Sequence, residues 1–177
     1  MSKQNNKGFT LVEMLVVLSI IVIITGIVIF NVGTEQQNSA LLRSAQNLSL
    51  NLRRAQSFAL SSKTYKTVGV PCGWGVHFNG IGSTSYVIFA DLASFADCSD
   101  RDFIRAGDGS EDFETTNFDA GVNISSLSSN LSDVVFTPPD PTVKFIPDQT
   151  SASVIMINKN GATRTININK TGFISSP

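Results

Sequence analysis

One acid and two thiols are the side chains of this 177-residue chain most open to a chemical reading. Glu13 stands five residues into an apolar run, residues 9–30, and no further charge follows until Glu35. A charged side chain near the centre of a membrane-spanning helix costs roughly 2.5–3.5 kcal/mol, so such an acid is kept for a partner or a task. The alternative is a plain anchor whose glutamate snorkels to the interface. Cys72 and Cys98 are the only cysteines. Their pairing outside the cytoplasm would close a long loop, a contribution of roughly 3–4 kcal/mol on the chain-entropy model; two buried free thiols are the other reading. With a lone His77 they do not make a tetrahedral zinc set.

A second group of candidates is electrostatic. Residues 91–119 hold nine of the fourteen acids (Asp91, Asp97, Asp100, Asp102, Asp108, Glu111, Asp112, Glu114 and Asp119), against Arg101 and Arg105. Carboxylates one or two residues apart, with Gly107 and Gly109 between them, could chelate calcium, a hard cation wanting six to eight oxygens. No EF-hand spacing is present, and a solvated surface loop, or an insertion touching neighbours, accounts for the same composition. His77, within Trp74-Gly75-Val76-His77-Phe78, falls on a strand face, pointing to solvent or to a satisfied polar contact.

The elements that position these groups follow from periodicity. Residues 9–30 are 22 positions, about 33 Å as an α-helix, enough to cross a bilayer. Lys3 and Lys7 precede the run, and the positive-inside tendency leaves that end in the cytoplasm with the bulk of the chain outside. No small-residue cleavage pattern follows Phe30, as a secretory signal would require. Farther on, Leu41, Ala45, Leu48, Leu52, Ala55 and Ala59 recur at alternating steps of four and three, one apolar helical stripe to lie on a domain. Arg43, Asn47, Asn51 and Arg54 fall off the stripe and should face out. Gly26 and Gly33 are the weak points where a helix over residues 9–62 would bend or melt.

After Ser62 come short β-rich runs: 65–70, 74–79, 85–90, 134–137, 143–146, 153–158 and 163–169. Asn79-Gly80-Ile81-Gly82 and Lys159-Asn160-Gly161-Ala162 read as hairpin turns. Pro138, Pro139, Pro141 and Pro147 mark a stiff loop beside one strand. The expected class is α+β, a long N-terminal helix packed on an antiparallel sheet, with residues 63–177 as one globular domain and 31–62 as the amphipathic continuation of the membrane helix.

The stretch Gly8-Phe9-Thr10-Leu11-Val12-Glu13-Met14-Leu15 resembles the processing site of type IV pilins and type II secretion pseudopilins. The resemblance implies a leader, residues 1–8, cut by prepilin peptidase between Gly8 and Phe9, with the new Phe9 amine methylated. It also implies that Glu13 meets the terminal amine of a neighbouring subunit in a helical filament. Two unpaired charges in hydrocarbon are worse than one close pair, so that docking is physically favoured. Arg53-Arg54-Ala55-Gln56, Gly73-Trp74-Gly75-Val76 and the closing Ile166-Asn167-Ile168-Asn169-Lys170-Thr171-Gly172-Phe173-Ile174 look like minor pseudopilin H and its minor-pilin relatives. The proline that many major pilins carry in the membrane helix is absent. The implied setting is the bacterial inner membrane, single-pass, with other pilins, the peptidase and an assembly platform as partners.

Other functions are poorly supplied. No nucleophile elbow, phosphate loop, zinc helix or dinucleotide fingerprint occurs, so an enzyme is not expected, and no resident cofactor is implied apart from the calcium alternative. Some minor pilins related to this group take up DNA, but without Lys3 and Lys7 the balance is 11 basic to 14 acidic residues, net −3. Nucleic acid is therefore an unlikely partner, with Lys159, Arg164 and Lys170 the small basic face that could serve it.

Overall fold

Alternating burial along the strands and a single stripe along the helix organise the chain. The computed structural model describes residues 9–92, 98–99, 101–138 and 142–176, and for residues 29–32 the backbone alone. The chain divides into two compact units, Met1–Gln36 and Gln37–Pro177. Helix α1 (Leu11–Leu60) supplies the secondary structure of the first unit's described residues and the opening of the second. Gly26 and Gly33, expected to weaken it, are both helical. Their local cost of about 1 kcal/mol each is small against a helix that runs unbroken for 50 residues.

In the second unit the predicted stripe is the buried face. Leu41, Ala45, Leu48, Leu52, Ala55 and Ala59 are all within 3% of full burial, whereas Leu50 is 61% exposed. Leu48 and Leu52 reach a core shared by two antiparallel sheets. The first has the order β3-β2-β1-β5-β6, built from β1 (Gly73–Phe78), β2 (Ser85–Asp91), β3 (Asp112–Asn117), β5 (Asp133–Phe136) and β6 (Val143–Ile146). The second has the order β4-β7-β8-β9, from β4 (Val122–Leu127), β7 (Ser151–Asn158), β8 (Thr163–Asn169) and β9 (Ile174–Ser175). The class is α+β with a long N-terminal helix, as expected, but the single predicted sheet is two. One stripe serves both because its buried residues and those of both sheets belong to a single hydrophobic cluster.

Strands β7 and β8 behave as the alternation requires. Ala152, Val154 and Met156 of one, and Ile166 and Ile168 of the other, point to the core, with the intervening residues outside. Their turn is the Asn-Gly hairpin: the Asn158 side chain accepts the N–H groups of Asn160 and Ala162, and Gly161 takes φ +82°. The first sheet is different. Trp74, Val76 and Phe78 face the main core, and the opposite face carries Phe89, Val135, Asp91 and Asp133, also buried. Gly75 exists for that second layer, because a Cβ there would sit 2.6 Å from Phe89.

Three sequence expectations are corrected. Residues 65–70 are a turn, not a strand: only Tyr65 and Gly69 bridge, and Lys66 and Gly69 take positive φ. The acidic stretch 91–119 is not all loop, since β3 lies inside it, and β4 follows; Asp112-Phe113-Glu114-Thr115-Thr116-Asn117 has poor strand propensity and is held by pairing with β2. Its charges suit an edge strand, which charge protects from further pairing. Asn51 and Arg54 do not simply face out: Asn51 donates to the Tyr86 hydroxyl at 2.8 Å, and Arg54 meets Glu114 at 2.7 Å. Of the proline loop, Pro139 and Pro141 lie outside the described residues.

Truncating the stripe tests this packing. Leu48→Ala should lower unfolding stability by about 2–5 kcal/mol, whereas Leu50→Ala should stay within about 0.5 kcal/mol of the parent, both read from urea titrations of the full chain in detergent.

Candidate functional site

The N-terminal helix starts on a cap. The Thr10 hydroxyl accepts the backbone N–H of Glu13 at 3.2 Å, and Glu13 is the acid of the first turn. Thr10-Leu11-Val12-Glu13 has the spacing of a capping box, a signal in the sequence that the apolar run around it hides. Negative charge in the first turn is also favoured by the helix dipole. The carboxylate itself has no partner among the described residues.

From Leu11 to Val28 the large apolar side chains are exposed; Leu11 is 81% and Ile27 60% exposed. Two polar side chains interrupt residues 14–28, and both are satisfied inside the helix. Ser19 donates to the Val16 carbonyl and Thr25 to the Ile21 carbonyl, each at 2.7 Å. Hydroxyls bonded back onto the helix can enter hydrocarbon without an orphaned donor. The segment is long and apolar enough to cross a membrane. Glu13 is its one group that lipid cannot satisfy. Gly8, the expected cleavage residue, and Lys3 and Lys7 lie outside the described residues; Phe9 is described and 74% exposed.

The second unit brings together residues that the sequence left scattered. Cys72 and Cys98 are joined by a disulfide, with Cα atoms 5.6 Å apart. The acidic stretch is drawn into ion pairs and backbone contacts. Arg105 grips Asp112 through two nitrogens, at 2.5 and 2.6 Å, and Arg43 meets Asp119 at 2.9 Å. Glu111 accepts the N–H groups of Leu92 and Ala106. Among the described residues no three of His, Cys, Asp and Glu converge to hold a metal ion. Asp97 and Asp100 lie outside the described residues.

His77 places Nδ1 2.8 Å from the Asp133 carboxylate, which also receives the Arg105 backbone N–H at 3.4 Å. No hydroxyl or thiol nucleophile joins the pair, and a nucleophilic relay needs one. Burial raises the Glu111 carboxyl above its ordinary value, against the two N–H groups it accepts. Burial, with the charges of Glu111 and Asp102 behind it, pushes Asp91 up to about 7. Neither Asp91 nor Glu111 stood out from the acidic run, because spacing alone does not tell a buried carboxyl from a solvated one.

Residues 3–29 match the prokaryotic N-terminal methylation motif. No curated protein and no solved structure matches the chain. The matched segment contains the capped start of α1, the unpartnered Glu13 and the exposed apolar surface. Together with the α+β architecture, the motif supports a type IV pilin-like reading and indicates a substrate of prepilin peptidase, and the apolar helix fits membrane anchoring.

The disulfide has a measurable share of stability. Cys72→Ser combined with Cys98→Ser should lower the unfolding free energy of the full chain by roughly 3–4 kcal/mol, read from urea titration in detergent, while adding reductant should leave the double variant unchanged.

Proposed function

We propose that this chain is a minor pilin or pseudopilin of the pseudopilin H kind, a structural subunit and not an enzyme, which prepilin peptidase trims after Gly8. The mature chain then begins at Phe9, methylated. Residues 9–30 hold it in the inner membrane, residues 31–62 carry the helix outward, and residues 63–177 form the domain outside the cytoplasm. A type II secretion pseudopilus or a type IV pilus takes it up through α1, with other pilins and an assembly platform as partners.

The observation behind this reading is the state of Glu13. Every other polar side chain of residues 10–28 is bonded within the helix, and this carboxylate has no partner among the described residues. Cleavage before Phe9 supplies an ammonium group at nearly the same depth. One chain's amine on the next chain's Glu13 neutralises both, and the apolar surface around them is covered by packing helix on helix. Uptake of nucleic acid has less behind it: of the small basic face, Lys170 is engaged by Asp148 at 3.0 Å.

Mass spectrometry of the protein from cells with an active prepilin peptidase should find Phe9 at the N-terminus, carrying one extra methyl group. Retention of Met1 would refute the processing. Glu13→Ala should be cut and methylated as before yet enter filaments poorly. The cap survives this change because the Thr10 bond uses the backbone N–H of residue 13. Normal filament entry by that variant would remove the carboxylate from the assembly step.

A further inference from the structure

The outer face of the first sheet holds a carboxyl group that its surroundings do not serve. Asp91 ends β2 opposite Gly73, is 1% exposed, and neither of its oxygens has a hydrogen-bond partner. A buried carboxylate without donors is costly as an anion. The nearby donors go elsewhere: Glu111 takes the N–H groups of Leu92 at 2.8 Å and Ala106 at 2.7 Å. Two carboxyls in one dry layer do not ionise independently, and the two N–H groups favour the charged form of Glu111 over that of Asp91, although burial raises the Glu111 carboxyl as well.

Residues 101–111 return over this face. The Arg105 backbone reaches Asp133 on β5, and Tyr65 holds the Ser110 carbonyl through its hydroxyl at 2.8 Å. From this segment Asp102 adds repulsion to Asp91, while Arg101 and the Phe103 amide pull the other way without closing a hydrogen bond. The remaining charges of the layer are committed: Arg105 to Asp112, and His77 to Asp133. The disulfide at Cys98 ties the approach to this segment back to Cys72, whose N–H bonds the Asp91 carbonyl at 2.9 Å.

We infer that residues 101–111 form a proton-sensitive cover over the outer face of the five-stranded sheet, closed while Asp91 is neutral and loosened when it ionises. Once Asp91 carries charge, the closed cover confines two anions in a layer with one set of donors. Among the described residues it is this segment that faces Asp91 on the outer side of the sheet, the other side being the main core. The sign follows from the raised folded-state value of about 7 against 3.8 for the free group. Closure is fully favoured below the free-group value, and that advantage is lost as pH rises through about 7.

Hydrogen exchange of the full chain in detergent, followed by mass spectrometry between pH 5.5 and 8.5 and corrected for intrinsic exchange, tests this. Protection within residues 101–111 should fall roughly tenfold or more between pH 5.5 and about 7 in the wild type and level off above, while β7 and β8 stay protected. Asp91→Asn, neutral throughout, should show no such step. Wild-type protection independent of pH, or an equal fall in Asp91→Asn, would overturn the cover. Should Asp91→Asn lose protection in β7 and β8 as well, Glu111→Gln serves instead. It removes the nearest repulsive charge and should move the wild-type midpoint to lower pH; an unmoved or raised midpoint also overturns the inference.

Discussion

A single carboxylate without a partner among the described residues, in an otherwise self-satisfied apolar helix, is the constraint on which the proposed role of this chain depends. Thr10 caps the first turn, Ser19 and Thr25 bond their own backbone, and the aliphatic side chains between them have no cover from the described residues. Lipid can cover the aliphatic surface but cannot neutralise Glu13. Such a helix suits hydrocarbon except at that acid, which the proposed docking of a neighbouring chain's amine would neutralise. The methylation motif matched at residues 3–29 is consistent with cleavage there, the step that would expose such an amine.

The second unit solves a different problem, that of packing a sheet on both faces with few apolar residues to spare. The inner face takes the stripe of α1 and the aromatic group around Trp74, where Phe58 and Phe113 stand edge-on at 5.0 and 5.3 Å. The outer face is closed by a polar segment in which Arg105 pairs with Asp112, and Asp102, Asp108 and Glu111 accept backbone N–H groups. Such a layer contributes less than a hydrophobic core, since desolvation offsets most of what each ion pair gains. The disulfide compensates by limiting how far the unfolded chain can spread. Asp91 is the group that this arrangement leaves uncompensated.

Where sequence and structure part, local signals were outweighed by pairing. Residues 65–70, Thr-rich and Val-rich in neighbourhood, failed to become a strand because Lys66 and Gly69 turn the chain and no partner lies beside it. Residues 112–117, acidic and Asn-ended, became a strand because β2 offered an open edge and Arg54 and Arg105 offset the charge. Hydrophobic alternation marks a strand when its own side chains drive burial, and is mute when the neighbour does.

The capped apolar helix, its lone acid, the stripe from Leu41 to Ala59 and the Asn-Gly hairpin were all determined by the amino-acid order. Each depends on contacts within a few residues or on a periodicity that one element displays alone. The division into two sheets, the cover on the first sheet's outer face and the elevated Asp91 carboxyl were decided only by the tertiary structure. They depend on which distant residues compete for the same donors and the same dry space, and nothing in a linear run of aspartates distinguishes the one that folding will strip of water.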